Sequence, residues 1–182
     1  MIYRNVAETV ITKKGGRYML LVLLRHGKAE EKQDKNDDDR ELTKDGRANM
    51  KLAAKGLRRL LTQQEIVIWS SPLVRAVQTA EIIAKGLGKL KVETHQQIAD
   101  GDLEWLGREL RHLGDELYLI VVGHEPTMSG WGQKISGLAL PFKKGAAAAY
   151  ELDPQQAFPA LRAGLVWFTE PKALRILGGE KN

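Results

Sequence analysis

Three stretches of the chain are apolar almost without interruption: residues 18–24, residues 66–69 and residues 117–122. A strand with one face in water alternates apolar and polar side chains, whereas a strand covered on both faces does not. These runs therefore predict parallel strands buried in an α/β sheet. Behind Thr43, the positions Met50, Ala53, Leu57, Leu60 and Leu61 recur at helical spacing, which predicts a helix over residues 44–61 capped by the threonine. Ser71 as N-cap with Pro72 at the first helical position predicts a second helix. Its inward residues are Leu73, Val77, Ala80, Ile83 and Ala84, and Gly86 or Gly88 ends it.

Further along, the pattern predicts a short strand at 90–93, a loop at 99–102, a helix at 103–113 and another at 127–136. Two strands follow, at 146–152 and 164–168. The expected architecture is a three-layer α/β/α sandwich with a mostly parallel central sheet. Residues 19–178 are read as one domain, and residues 1–18, which lack the apolar core and cleavage site of a secretory signal, as a leader or edge element.

Composition narrows the functional classes. At 182 residues the chain fits one domain with a sizeable core and leaves little room for a cap domain. It has no cysteine, which removes disulfides, thiolate metal sites and a cysteine nucleophile. The net charge of +5 comes from Lys and Arg spread along the chain, so nucleic acid is not an expected partner. No apolar run approaches the length needed to span a bilayer, and a cytoplasmic location is expected.

Chemistry gathers where the apolar runs end. Arg25, His26 and Gly27 follow the first run, Ser71 and Arg75 the second, Gly123 and His124 the third. In open α/β sheets ligands bind outside the carboxyl ends of the strands. Two arginines and two histidines arriving there form a pocket suited to a phosphoryl group, because phosphoryl transfer asks mainly for positioning and positive charge. Arg25 and Arg75 supply planar donor forks, and Gly27 and Gly123 are expected to let the backbone approach the ligand. Nearby positive charge is expected to hold His26 neutral as a nucleophile, with His124 donating to a phosphoryl oxygen. Neither ring shows which nitrogen faces the substrate.

Four segments carry a resemblance: Arg25-His26-Gly27-Lys28-Ala29, then Arg40-Glu41-Leu42-Thr43 with Gly46, then residues 70–80, and Val122-Gly123-His124-Glu125-Pro126. With these the chain resembles the histidine phosphatase superfamily, of phosphoglycerate-mutase-like fold, and within it the small SixA-type phosphohistidine phosphatases. The resemblance implies a phosphohistidine intermediate on His26, a phosphate pocket of Arg25, Arg75 and His124, and Arg40 at the entrance. It calls for neither cofactor nor metal. Mutases and phosphomonoesterases of the superfamily usually carry a glutamate general acid in a Glu-x-x-x-Gly setting after the third strand, which the stretch from Val92 to Trp105 lacks. Asp100, Asp102 and Glu104 lie nearby without matching it. An alkoxide leaving group needs a proton from such an acid, whereas imidazole is easily protonated and departs with less help. The expected partner is thus a phosphohistidine-bearing protein. Rival readings are a small-molecule phosphomonoesterase or mutase of the same fold acting on a phosphate ester, with Asp100, Asp102 or Glu104 as its general acid, and a non-catalytic phosphoprotein-binding module.

The remaining candidates have plain readings. Asp37-Asp38-Asp39 reads as a solvated loop, and His95 and His112 as surface residues. Trp69 and Trp167 read as packing residues, and Trp105 and Trp131, which the sequence does not place, as candidates to line a substrate approach.

Overall fold

The computed structural model describes residues 19–31, 36–61, 65–113, 117–156 and 161–180; the segment 1–18 lies outside the described residues. Among these, six strands form one sheet: β1 (Met19–Arg25), β2 (Ile66–Ser70), β3 (Val92–Thr94), β4 (Tyr118–Gly123), β5 (Ala147–Leu152) and β6 (Ala163–Thr169), in the order β3-β2-β4-β1-β5-β6. β1, β2, β3 and β4 run parallel; β5 and β6 complete one edge antiparallel.

The unbroken apolar runs have the reason anticipated for them. In β1, Met19, Leu21 and Leu23 join one hydrophobic cluster while Leu20, Val22 and Leu24 join another. β4 divides likewise, with Leu119 and Val121 on one side and Ile120 and Val122 on the other. The first cluster is closed by α3 (Gln96–Asp100), α4 (Leu103–Glu109) and α5 (Thr127–Ser136). The second is closed by α1 (Lys44–Leu60), α2 (Val74–Leu87) and α6 (Pro171–Leu177). The result is the three-layer α/β/α sandwich with a mostly parallel sheet. No described helix is long and apolar enough to cross a membrane.

Thr43 caps α1 as expected, its hydroxyl oxygen accepting from the Gly46 N–H at 3.0 Å. Other boundaries need correction. α2 begins at Val74 behind Leu73, so Ser71 does not cap it and Pro72 stands outside it. Of its expected inward residues, Ala80, Ile83 and Ala84 are buried and Leu73 and Val77 only partly so; Arg75, Ala76 and Thr79 are buried as well, because the start of the helix serves the pocket. The loop expected at 99–102 is the end of α3, stopped by Gly101 in the left-handed conformation at φ 74°. The helix expected at 103–113 is α4 followed by a 3-10 turn, Leu110–His112. α6 was not anticipated; its seven residues are too short to show a period.

Three aromatic positions also differ from the sequence reading. His95 is half-buried, not a surface residue: its ring packs 4.8 Å from Trp69 and 4.9 Å from Trp105. Trp105 and Trp131 are core residues, and Trp131 Nε1 donates to the Gly101 carbonyl.

Candidate active site

Sheet order decides what meets. β4 lies between β1 and β2, with Arg25 in register with Gly123 and Ser70 with Val122. The backbone ladder continues one step past the strands, His26 N–H donating to the Gly123 carbonyl and Ser71 N–H to the Val122 carbonyl, each at 3.0 Å. His26, Ser71 and His124 thus leave the sheet side by side. The two imidazole centroids lie 5.1 Å apart. Arg75, in the first turn of α2, points its Nε at His26 Nε2 across 3.3 Å.

The proton arrangement of His26 is set by the backbone. Its Nδ1 lies 2.7 Å from the carbonyl of Gly27, which can only accept, so Nδ1 carries the hydrogen and Nε2 presents a lone pair. Burial lowers the His26 pKa to about 3; the Gly27 carbonyl opposes this, and the charges of His124, Arg75 and Arg25 add to it. The expectation that positive charge would dominate is therefore corrected: desolvation leads, because the ring is nearly sealed from water. His124 is lowered to about 4, again chiefly by burial and then by Arg75, with Asp37 opposing. Its Nε2 is 2.8 Å from Ser71 Oγ, so Ser71 orients this ring instead of a helix.

Arg25 reaches across to the Phe142 carbonyl at 2.7 Å through one terminal nitrogen. Its Nε is buried without a partner, as is His124 Nδ1. Buried polar atoms are rarely left unpaired in folded proteins. Two such atoms at these strand ends, a guanidinium donor and an imidazole nitrogen, suit an anionic tetrahedral group.

The glycines act differently from expectation. A Cβ on Gly27 would stand 2.8 Å from Met50 Cγ, and one on Gly123 would stand 2.6 Å from Met128 Cε. These positions stay small for packing beneath the pocket. The Gly27 N–H is already committed to Thr79 Oγ1 at 3.1 Å.

The sequence reading missed three participants. Thr79 accepts from Gly27 N–H and donates to the Arg75 carbonyl at 2.7 Å, tying α2 to the end of β1; its position one helical turn after Arg75 was the available signal. Glu125 lies close enough to Arg25 to oppose the burial-driven lowering of that guanidinium's pKa, and both its carboxylate oxygens accept from Ser129. Asp37 enters the pocket itself. Its carboxylate lies 2.9 Å from Arg75 Nη2 and 2.8 Å from Arg40 Nη2, and its carbonyl accepts from Arg75 Nη1 at 2.6 Å. Nothing in a run of three aspartates tells which one folds inward. The pocket is thus not positive on every side, and the segment carrying Asp37 is not merely solvated.

Of the acid candidates, Asp102 caps α4 by accepting from Trp105 N–H, Asp100 accepts from Gln96 Nε2, and Glu104 is exposed. None is hydrogen-bonded to either pocket histidine. Arg40 lies at the rim, holding Asp37 and the Glu30 carbonyl.

The family model of the histidine phosphatase superfamily, branch 1, matches residues 21–127. An uncharacterized protein of Picosynechococcus sp. is 34% identical over 128 residues, 65% of this chain and 73% of that protein. The protein histidine phosphatase SixA complexed with tungstate shares the fold at TM-score 0.75 and 24% identity, over 86% of this chain and 99% of that one. A Nakamurella multipartitia protein assigned as a SixA phosphohistidine phosphatase gives TM-score 0.68 and 26% identity, over 85% and 96%.

Proposed function

Because this chain belongs to the histidine phosphatase superfamily and is a histidine-nucleophile phosphatase, we propose that it hydrolyses phosphohistidine on proteins in the cytoplasm, with His26 taking up the phosphoryl group. The observation that supports the role of His26 is its hydrogen bond to the Gly27 carbonyl, which keeps the ring proton on Nδ1 and leaves on Nε2 a lone pair that accepts from Arg75 Nε. With its pKa lowered to about 3, the ring is unprotonated at neutral pH without needing a base.

In the first step, the His26 Nε2 lone pair forms a bond to phosphorus while the bond from phosphorus to the substrate imidazole breaks. The electron pair leaves on the imidazole nitrogen, which takes a proton from water. Arg25, Arg75 and His124 hold the three non-bridging oxygens, where charge is spread in a loose transition state. His124 Nε2 is paired with the Ser71 hydroxyl, which leaves the unpartnered Nδ1 as the nitrogen available to a phosphoryl oxygen. In the second step, water attacks phosphorus, the bond to Nε2 breaks, and His26 returns neutral.

The substrate class follows from the leaving group. Asp100 accepts from Gln96, Asp102 accepts from Trp105 N–H, and Glu125 is held as an acceptor by Ser129. Without a committed proton donor, an alkoxide would leave poorly, whereas imidazole leaves with little help. Rapid quench with a labelled phosphohistidine peptide should trap label on the protein that is acid-labile and alkali-stable. The His26→Ala variant should trap none. Aliphatic phosphate esters cleaved as fast as the peptide would overturn the substrate assignment and favour the phosphomonoesterase reading.

A further inference from the structure

The Asp37 contact has the form of a substrate contact. A carboxylate oxygen and a carbonyl oxygen together satisfy both terminal nitrogens of Arg75, at 2.9 and 2.6 Å, while the same guanidinium aims its Nε at the His26 nucleophile. Two oxygens on one planar fork is the way arginine receives a phosphoryl group. Arg75 is buried, with only 6% of its side chain exposed, so it has little room to serve two anions at once. The Asp37 charge also reaches His124.

We propose that Asp37 is an internal competitor for the phosphoryl site, a carboxylate that occupies Arg75 until a phosphoryl dianion displaces it. This rests on the pocket being an anion site and deepens the functional reading by setting which anions gain entry. Displacement is eased by Arg40, which holds the opposite carboxylate oxygen through Nε at 2.9 Å and Nη2 at 2.8 Å. Asp37 can release Arg75 while keeping this second seat. A ligand that offers two charges over three oxygens replaces what Arg75 loses, and also reaches Arg25 and His124. A monoanionic carboxylate gains less and is excluded. The segment therefore works as a selectivity filter for doubly charged phosphoryl groups.

The apparent affinity of a site that is open only a fraction of the time is reduced by that fraction. Removing the Asp37 charge should thus tighten binding of inorganic phosphate to the full-length protein, by about tenfold if the site is occupied nine-tenths of the time. Isothermal calorimetry with inorganic phosphate would read this for the native chain, Asp37→Asn and Asp37→Ala. Asp38→Asn, at an exposed neighbour, is the control. Acetate, weak on the native protein, should gain at least as much as phosphate. Unchanged or weaker phosphate binding in both Asp37 variants, with thermal stability retained, would overturn the proposal and make Asp37 a residue that positions Arg75. Because the measurement is of binding, it is separable from the substrate assignment: tighter phosphate binding alongside no turnover of a phosphohistidine peptide would leave the competitor standing and remove the substrate.

Discussion

At the scale of single residues, the buried histidines make stability depend on pH in a stated direction. Both have folded-state pKa values below the ordinary 6.5, at about 3 for His26 and about 4 for His124. Above pH 6.5 neither state binds the proton and the histidines contribute no slope. As pH falls from 6.5 toward 4, the unfolded chain takes up protons that the folded pocket refuses, and stability drops by about 1.4 kcal/mol per pH unit for each ring. Urea unfolding across that window should therefore be flatter in His26→Asn and in His124→Asn than in the native chain. An unaltered slope would mean that the pocket admits the proton. The residue types were legible from sequence, and so was the neutrality of His26. Its cause was not, because burial depends on what covers the ring.

At the scale of elements, the ends of helices and strands do the positioning. The Thr43 cap is a local device, readable because a side-chain acceptor three residues before an amide needs no tertiary partner. Thr43→Ala should lower stability by about 1 kcal/mol, measured by urea unfolding. The beginning of α2 was misread for the complementary reason: Ser71 has the chemistry of a cap, yet its hydroxyl stands 2.8 Å from His124, a residue 53 positions away. Gly27 joins the two levels. A methyl group there meets Met50 within the second hydrophobic cluster, so Gly27→Ala should destabilise by about 1–3 kcal/mol. A double-mutant cycle with Met50→Ala should give a coupling of at least about 0.5 kcal/mol, the combined loss being less than the sum of the single ones. Additive losses would show that the crowding is relieved elsewhere.

At the scale of the molecule, the order β2-β4-β1 makes one pocket from segments separated by about a hundred residues. The distribution of charge matters here too. A groove of about 780 Å³ between α1 and α2 is lined by Lys51, Lys55, Arg58, Arg59 and Lys85, a second concentration of positive charge away from the strand ends. Anion binding should still be decided by the strand ends. Inorganic phosphate at a hundred times its dissociation constant should stabilise the protein by about 2.7 kcal/mol, seen as a rise in melting temperature. Arg75→Ala should remove the rise, while Lys55→Ala should preserve it; the reverse result would place the principal anion site on the helices.

The sequence by itself determined the strands, most helices and the residue types at the strand ends, because hydrophobic period and capping chemistry are written in neighbouring positions. Only the tertiary structure decided that burial, more than charge, keeps His26 neutral, that Ser71 serves His124, and that Asp37 lies on Arg75. Each of these is a contact between segments brought together by sheet order, which no local pattern of side chains encodes.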